Sequence, residues 1–176
     1  MNIIEGGVTA PQGFLAQGVA AEVKKKDKKD VAVIYSTKPC NAAAVCTTNR
    51  VRAACVDLTR EHLQDGKAQA VVVNSGNANA CTGQEGLDLA VATSEMAAKE
   101  LGIDPALVQV ASTGVIGQPL NSEPFARAMP ALVAALSTDG FEAFSRAIMT
   151  TDLVPKTSQV QVEIDGVPVN ILGITK

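Results

Sequence analysis

Gln69-Ala70-Val71-Val72-Val73, running into Asn74-Ser75-Gly76-Asn77, is the stretch on which the fold turns. The β-branched run reads as a central strand, and the small polar residues behind it as a loop at its end. Downstream, Leu87, Ala90, Val91, Ser94, Ala98 and Leu101 recur at helical spacing, with Gly102 as the stop. Leu107-Val108-Gln109-Val110-Ala111 is a further strand, ending at Ser112-Thr113-Gly114. The next helix carries Phe125, Ala128, Met129, Leu132, Val133 and Leu136 on one face, with Asn121-Ser122 as its cap. Pro124 suits its first turn, and Pro130 predicts a kink or a break. Thr138-Asp139 is expected to cap a short helix with Phe141, Phe144 and Ile148 inward.

The flanks are read the same way. Val31-Ala32-Val33-Ile34-Tyr35 is a buried strand and Ala43-Ala44-Val45-Cys46 a weaker one. The segment through Val23, with Pro11-Gln12-Gly13, reads as irregular with short strands. Near the C-terminal end Val160, Val162 and Ile164 alternate with Gln159, Gln161 and Glu163. Asp165-Gly166 then turns into Val167–Leu172, which makes a hairpin. The sum is a mixed α/β domain over residues 1–176, with no internal repeat or linker to divide it.

Composition narrows the function. A chain of 176 residues, 47% hydrophobic and 19% charged, can bury a core and is expected to fold. A net charge of −3 offers no broad basic field for nucleic acid. Lys24-Lys25-Lys26-Asp27-Lys28-Lys29-Asp30 is a local charge run between apolar segments and reads as a solvated turn. No apolar stretch approaches the roughly 20 residues needed to cross a bilayer. Met1-Asn2-Ile3-Ile4-Glu5-Gly6-Gly7 lacks the basic and apolar regions of a signal peptide, so reduced thiols in the cytoplasm are expected.

Cys40, Cys46, Cys55 and Cys81 form no CxxC pair, and with His62 as the one histidine no metal site is expected. The cysteines read as ordinary core or surface residues. His62, in a polar stretch ending at Gly66, reads as exposed and structural, which removes the usual base of a serine or cysteine triad.

Three stretches could carry chemistry. Asn74–Gly83 and Ala111–Gly117 are small, polar and glycine-bearing at strand ends, where backbone N–H groups can form an anion nest or oxyanion hole. Turn formation explains the same glycines. Neither loop fits a phosphate-loop or dinucleotide motif, and no cofactor is implied. The third, Ala147–Lys156, holds Thr150, Thr151 and Asp152 and reads either as a polar ligand site or as a connecting loop.

Five blocks together resemble a known family. They are Gly6–Phe14, Thr48–Ala54, Asn74–Gly83, Ser112–Gly117 and Ala147–Asp152, in order over nearly the whole chain. The chain resembles ornithine acetyltransferase, also called glutamate N-acetyltransferase, of arginine biosynthesis. The resemblance implies an N-terminal-nucleophile type of fold, an α/β/β/α sandwich shared between two chains cut from one precursor. This chain resembles the α chain, stopping shortly before the cut. The implied nucleophile is a threonine at the start of the β chain, outside this sequence, with its own α-amine as base. It would move acetyl from N-acetylornithine to glutamate by ping-pong transfer, and some members also take acetyl-CoA. The implied assembly is two α and two β chains.

By the same resemblance Thr113 and Gly114 match an oxyanion-hole pair. Thr150 matches a substrate-binding threonine, with Thr151 beside it, and Lys176 a substrate-binding lysine. A related N-terminal-nucleophile aminopeptidase and a non-catalytic ligand-binding α/β domain are the competing readings. The Asn74–Gly83 and Ala147–Asp152 blocks favour the acetyltransferase.

Overall fold

The computed structural model describes residues 2–23 and 26–176. Its main sheet has the order β2-β3-β4-β5, from Phe14–Val19, Val31–Asn41, Lys67–Asn74 and Val108–Ser112. β1 is the short strand Asn2–Ile3. The first three sheet strands pair antiparallel, while β4 and β5 run parallel from Ala70↔Val108 to Asn74↔Ser112. Parallel neighbours need a crossover, supplied by α2, Gly83–Leu101. The helix ends at Gly102 in the left-handed conformation, as the sequence led one to expect.

The strands' alternation sorts side chains onto two faces. Val31, Val33, Ala70, Val72 and Val108 face α2 and α3, the latter spanning Glu123–Ala134 and contributing Phe125, Met129 and Leu132. Each of those three is at most 1% exposed, and burial of such a side chain is worth about 1.5–3 kcal/mol. Ala16, Ala32 and partly buried Ile34 point the other way, onto Phe144, Ala147 and Ile148 of α4 (Phe141–Ala147) and its C-terminal cap. Gly18 makes that contact possible, because a Cβ there would stand 2.7 Å from the Ala147 Cβ. The hairpin of β6 (Lys156–Ile164) and β7 (Val167–Thr175) joins β1 in a second sheet, β1-β6-β7. Its Leu172 and Ile174 pack onto the α4 side of the core. Thus α2 and α3 cover one face of the main sheet, and α4 with the second sheet covers the other.

The hairpin turn lies where the alternation placed it, with Asp165 at φ +50 and Gly166 at φ +78. Other expectations need correction. Ala43–Cys46 is not a strand: β3 ends at Asn41, and between it and residue 54 the chain makes only the isolated bridge of Ala53 with Ala80. α3 runs unbroken through Pro130. Gly140, not Thr138 or Asp139, is the N-cap of α4, packed against the backbone of Ala16 and Gln17. Of the expected cap pair Asn121-Ser122, Asn121 supplies the bond: its Oδ1 accepts the Glu123 N–H at 3.0 Å.

The N-terminal segment holds the short strands β1 and β2 amid irregular chain, in line with its sequence. Residues 54–62 form a helix, α1, that the sequence did not announce. Only Cys55 and Leu58 of it are buried, too few for a visible stripe. His62 is half-buried, not exposed: its Nδ1 lies 2.9 Å from Val108 O. Thr59 Oγ1 donates to Val110 O at 3.4 Å, so α1 covers carbonyls on the edge strand β5.

Candidate functional site

The parallel pair ends level, at Asn74 and Ser112, and the two following loops meet over those ends. Asn74 Nδ2 donates to Ser112 Oγ at 2.7 Å, and Thr113 N–H donates to Asn74 O at 3.0 Å. Further out, Ala78 N–H donates to Val115 O at 2.9 Å and Gly117 N–H to Ala80 O at 2.8 Å. Loop groups that a turn would leave to water are therefore spent on fastening one loop to the other.

Gly114 sits at this junction with φ +138, a conformation that L side chains rarely adopt. A Cβ there would lie 2.8 Å from the carbonyl carbon of Gly76 and collide with its oxygen. The two loops can approach this closely because position 114 carries no Cβ.

A cleft of about 380 Å³ opens at the junction. Ser75 and Gly76 line one side, and Thr113 and Gly114 the next. Thr150 and Thr151, past the end of α4, form a further wall, and Lys28 and Asp30 complete the rim. Thr113, Gly114, Thr150 and Thr151, separated widely in sequence, thus share one cavity.

Their hydrogen bonds assign different capacities. With the Thr113 N–H taken by Asn74 O, the hydroxyl is the donor that Thr113 has left for a ligand. The Gly114 N–H has no acceptor among the described residues. One hydroxyl and one backbone N–H at a cleft wall are the donor types that stabilise a developing oxyanion.

Thr150 is held from three directions. Its hydroxyl accepts from Lys176 Nζ at 2.5 Å, and its N–H donates to Asp152 Oδ2 at 3.2 Å. Its carbonyl accepts from Lys28 Nζ at 3.4 Å, while the same ammonium donates to Met149 O at 2.9 Å. Lys176 also pairs with Asp152 Oδ2 at 2.6 Å, and Lys156 pairs with Asp152 Oδ1. These bonds, that from Lys156 foremost, hold the Asp152 carboxyl well below the usual carboxylate range. Lys176 therefore reaches the cleft through Thr150 and is not itself part of the lining. Thr151 is exposed on the wall and its side chain takes no partner among the described residues.

The charge run before β3 is not merely a solvated turn. Lys24 and Lys25 lie outside the described residues, and Lys26 and Asp27 are exposed. Lys28 turns inward, Lys29 Nζ donates to Gly18 O at 2.8 Å, and Asp30 is only 3% exposed. Asp30 Oδ1 and Oδ2 accept the N–H groups of Ala21 and Val23, each at 2.8 Å, and Asp30 O accepts Ser75 N–H at 2.8 Å. Lys28 and Asp30 are thus cleft residues that sequence reasoning passed over. Their alternating charges look solvated, and only the adjoining apolar strand hints that the run folds inward.

Among the described residues no three metal-ligating side chains stand together, and no helix is long and apolar enough to cross a membrane. Cys40, Cys46, Cys55 and Cys81 are unpaired, and burial pushes the Cys55 thiol upward.

The cleft lies beyond the carboxyl ends of two parallel strands, the place where open α/β sheets bind their ligands. Residues 15–176 match the ArgJ family, and the chain belongs to it. It is 47% identical to the arginine biosynthesis bifunctional protein ArgJ of Synechocystis, over 99% of this chain and 43% of that protein. Against the protein of that name from Symbiobacterium thermophilum identity is 49%, over 100% of this chain and 44% of the relative. The chain therefore spans less than half the length of these curated relatives.

The crystal structure of arginine biosynthesis bifunctional protein ArgJ from Bacillus halodurans superposes with a TM-score of 0.91 at 39% identity. That match covers 97% of this chain and 89% of the solved one. Ornithine acetyltransferase from Mycobacterium tuberculosis, solved with ornithine, gives a TM-score of 0.88 at 37% identity, covering 97% and 91%.

Proposed function

We propose that this chain is the α chain of an autoprocessed glutamate N-acetyltransferase. Its partner is a β chain cut from the same precursor, and the pair assembles as an α2β2 heterotetramer. The reading is supported by a difference in length. The curated relatives are more than twice as long as this chain, whereas the solved chains are nearly its own length. That is the pattern a precursor divided into two chains would leave. Unpaired cysteines suit a reducing cytoplasm.

In this reading the amino-terminal threonine of the β chain enters the cleft. Its Oγ attacks the acetyl carbonyl of N-acetylornithine while its α-amine takes the hydroxyl proton. The carbonyl oxygen becomes an oxyanion facing the Thr113 hydroxyl and the Gly114 N–H. Collapse expels ornithine, whose nitrogen regains the proton, and leaves acetyl-threonine. Glutamate then attacks that ester through the same oxyanion, giving N-acetylglutamate and the free threonine. Thr150 and Thr151 hold the amino-acid part, with Lys176 serving it through the Thr150 hydroxyl. No metal or diffusible cofactor enters any step.

The observation that carries this is the convergence of Thr113, Gly114, Thr150 and Thr151 on one cleft. The test is to express the whole precursor, establish by mass spectrometry that two chains form, and assay acetyl exchange between N-acetylornithine and glutamate. A processed two-chain enzyme that transfers no acetyl overturns the reading.

A further inference from the structure

Two lysines serve the Thr150 wall, and their charges are in different states. Lys176 is neutralised by Asp152, and Asp152 is shared with Lys156. Lys28 has no carboxylate within 4.0 Å among the described residues. Asp30, nearest in sequence, spends both oxygens on the N–H groups of Ala21 and Val23. An ammonium carries three donors, and those of Lys28 meet two carbonyls, Met149 O and Thr150 O. One donor and an uncompensated positive charge remain at the cleft wall. On the same cleft, Ser75 Oγ is buried without a partner among the described residues. A buried hydroxyl in that state is a polar atom left for a ligand or a water.

We propose that Lys28 is a substrate-binding residue that takes the α-carboxylate of the amino-acid substrate while its other donors fix the Thr150 main chain. The proposal rests on the acetyltransferase reading above. Both N-acetylornithine and glutamate carry an α-carboxylate, so one cation serves both half-reactions. The carbonyl bonds give the ammonium a fixed position, which a free surface lysine lacks, so little side-chain freedom is lost when the anion arrives.

The experiment uses the processed enzyme from the full precursor. Wild type, Lys28→Met and Lys28→Gln are compared on N-acetylornithine and on N-acetylputrescine, which is the same donor without its carboxylate. Gln keeps a donor for the two carbonyls but loses the charge. Wild type is expected to favour N-acetylornithine in kcat/KM, and both variants to lose about tenfold or more of that preference, the size of a charged hydrogen bond. Most of the loss falls in KM. Should Lys28→Met fail to fold or process, Lys28→Gln carries the comparison alone. Equal loss of kcat/KM on both donors overturns the proposal, because it means that Lys28 only props up Thr150. A wild-type enzyme that transfers no acetyl fails the acetyltransferase reading instead.

Discussion

The Cα of Gly114 faces the carbonyl of Gly76 with no room for a side chain between them: a Cβ at 114 would lie 2.8 Å from the Gly76 carbonyl carbon. This contact joins the loop after β4 to the loop after β5 at Gly114, whose N–H has no acceptor among the described residues. Gly114→Ala must therefore move the backbone, and at φ +138 it carries conformational strain of about 1–3 kcal/mol as well. Expected in the processed enzyme is a fall in kcat of about 100-fold or more with a lowered unfolding midpoint. Kinetics and denaturant titration read the two effects separately. Unchanged kcat would remove Gly114 from the oxyanion site.

At Thr113 the backbone donor is already bonded to Asn74 O, which makes the hydroxyl the group under test. Loss of one oxyanion donor costs about 2.7–4 kcal/mol of barrier, so Thr113→Ala is expected to lower kcat by about 100-fold or more with a smaller change in KM. Thr113→Ser keeps the hydroxyl and should retain most of the rate. Self-cleavage of the precursor passes through a similar oxyanion and should slow in the alanine variant as well. Steady-state kinetics on both variants decide the point: an alanine enzyme with full kcat leaves Thr113 no role through its side chain.

What the sequence displayed was periodic, and what it concealed was made by contact. The Val71–Val73 run, the α2 stripe with its Gly102 stop, and the alternation around Val160–Ile164 are local patterns that survive folding. α1 buries only Cys55 and Leu58, and its partners Val108 and Val110 lie on a strand far along the chain. The loop blocks of the resemblance singled out Thr113, Gly114, Thr150 and Thr151. Nothing local could show that one cleft holds them, or that Lys28 joins them, because long-range main-chain bonds set that arrangement. Lys176 illustrates the limit: read alone it is a terminal residue, and only the fold brings its ammonium onto Thr150.

Asp152 links Lys156, Lys176 and the Thr150 N–H, and its carboxyl is held well below the ordinary value of 3.8. A carboxyl depressed in the folded state stabilises that state above its unfolded value and loses the contribution as pH falls toward the folded one. The stability gap between wild type and Asp152→Asn should thus be constant from neutral pH to about pH 5 and narrow below about pH 4. Urea titrations of both proteins across that range measure it. The variant also releases Lys176 from its counter-ion, and a raised KM with nearly unchanged kcat is expected. A gap that holds constant down to pH 2 would assign the stabilisation to something other than the ionised carboxylate.

The second sheet turns one face to the core and leaves the other partly open. Pairing of Val160 with Ile171, Val162 with Val169 and Ile164 with Val167 sets six β-branched side chains on a single face, and Ile3 joins them opposite Val160. Leu172 and Ile174, at the alternate positions of β7, point into the core, so this ladder points away from it. Ile164, Val167 and Ile171 are 53%, 59% and 49% exposed, and Ile3 88%. Contiguous apolar surface of this kind marks an interaction site or an aggregation hazard. Residues 1–176 expressed alone are expected to be inactive and to self-associate. The triple variant Ile164→Thr, Val167→Thr, Ile171→Thr keeps the β-branched shape and should cost no more than about 0.5 kcal/mol per site, since these positions bury little. In the isolated chain it should shift sedimentation toward monomer. In the full precursor it should weaken retention of the β chain on the α chain, measured by pull-down after processing. Wild-type residues 1–176 that stay monomeric at high concentration, or a triple variant that holds its β chain as firmly as wild type, would show that this face needs no cover and that the partner docks elsewhere.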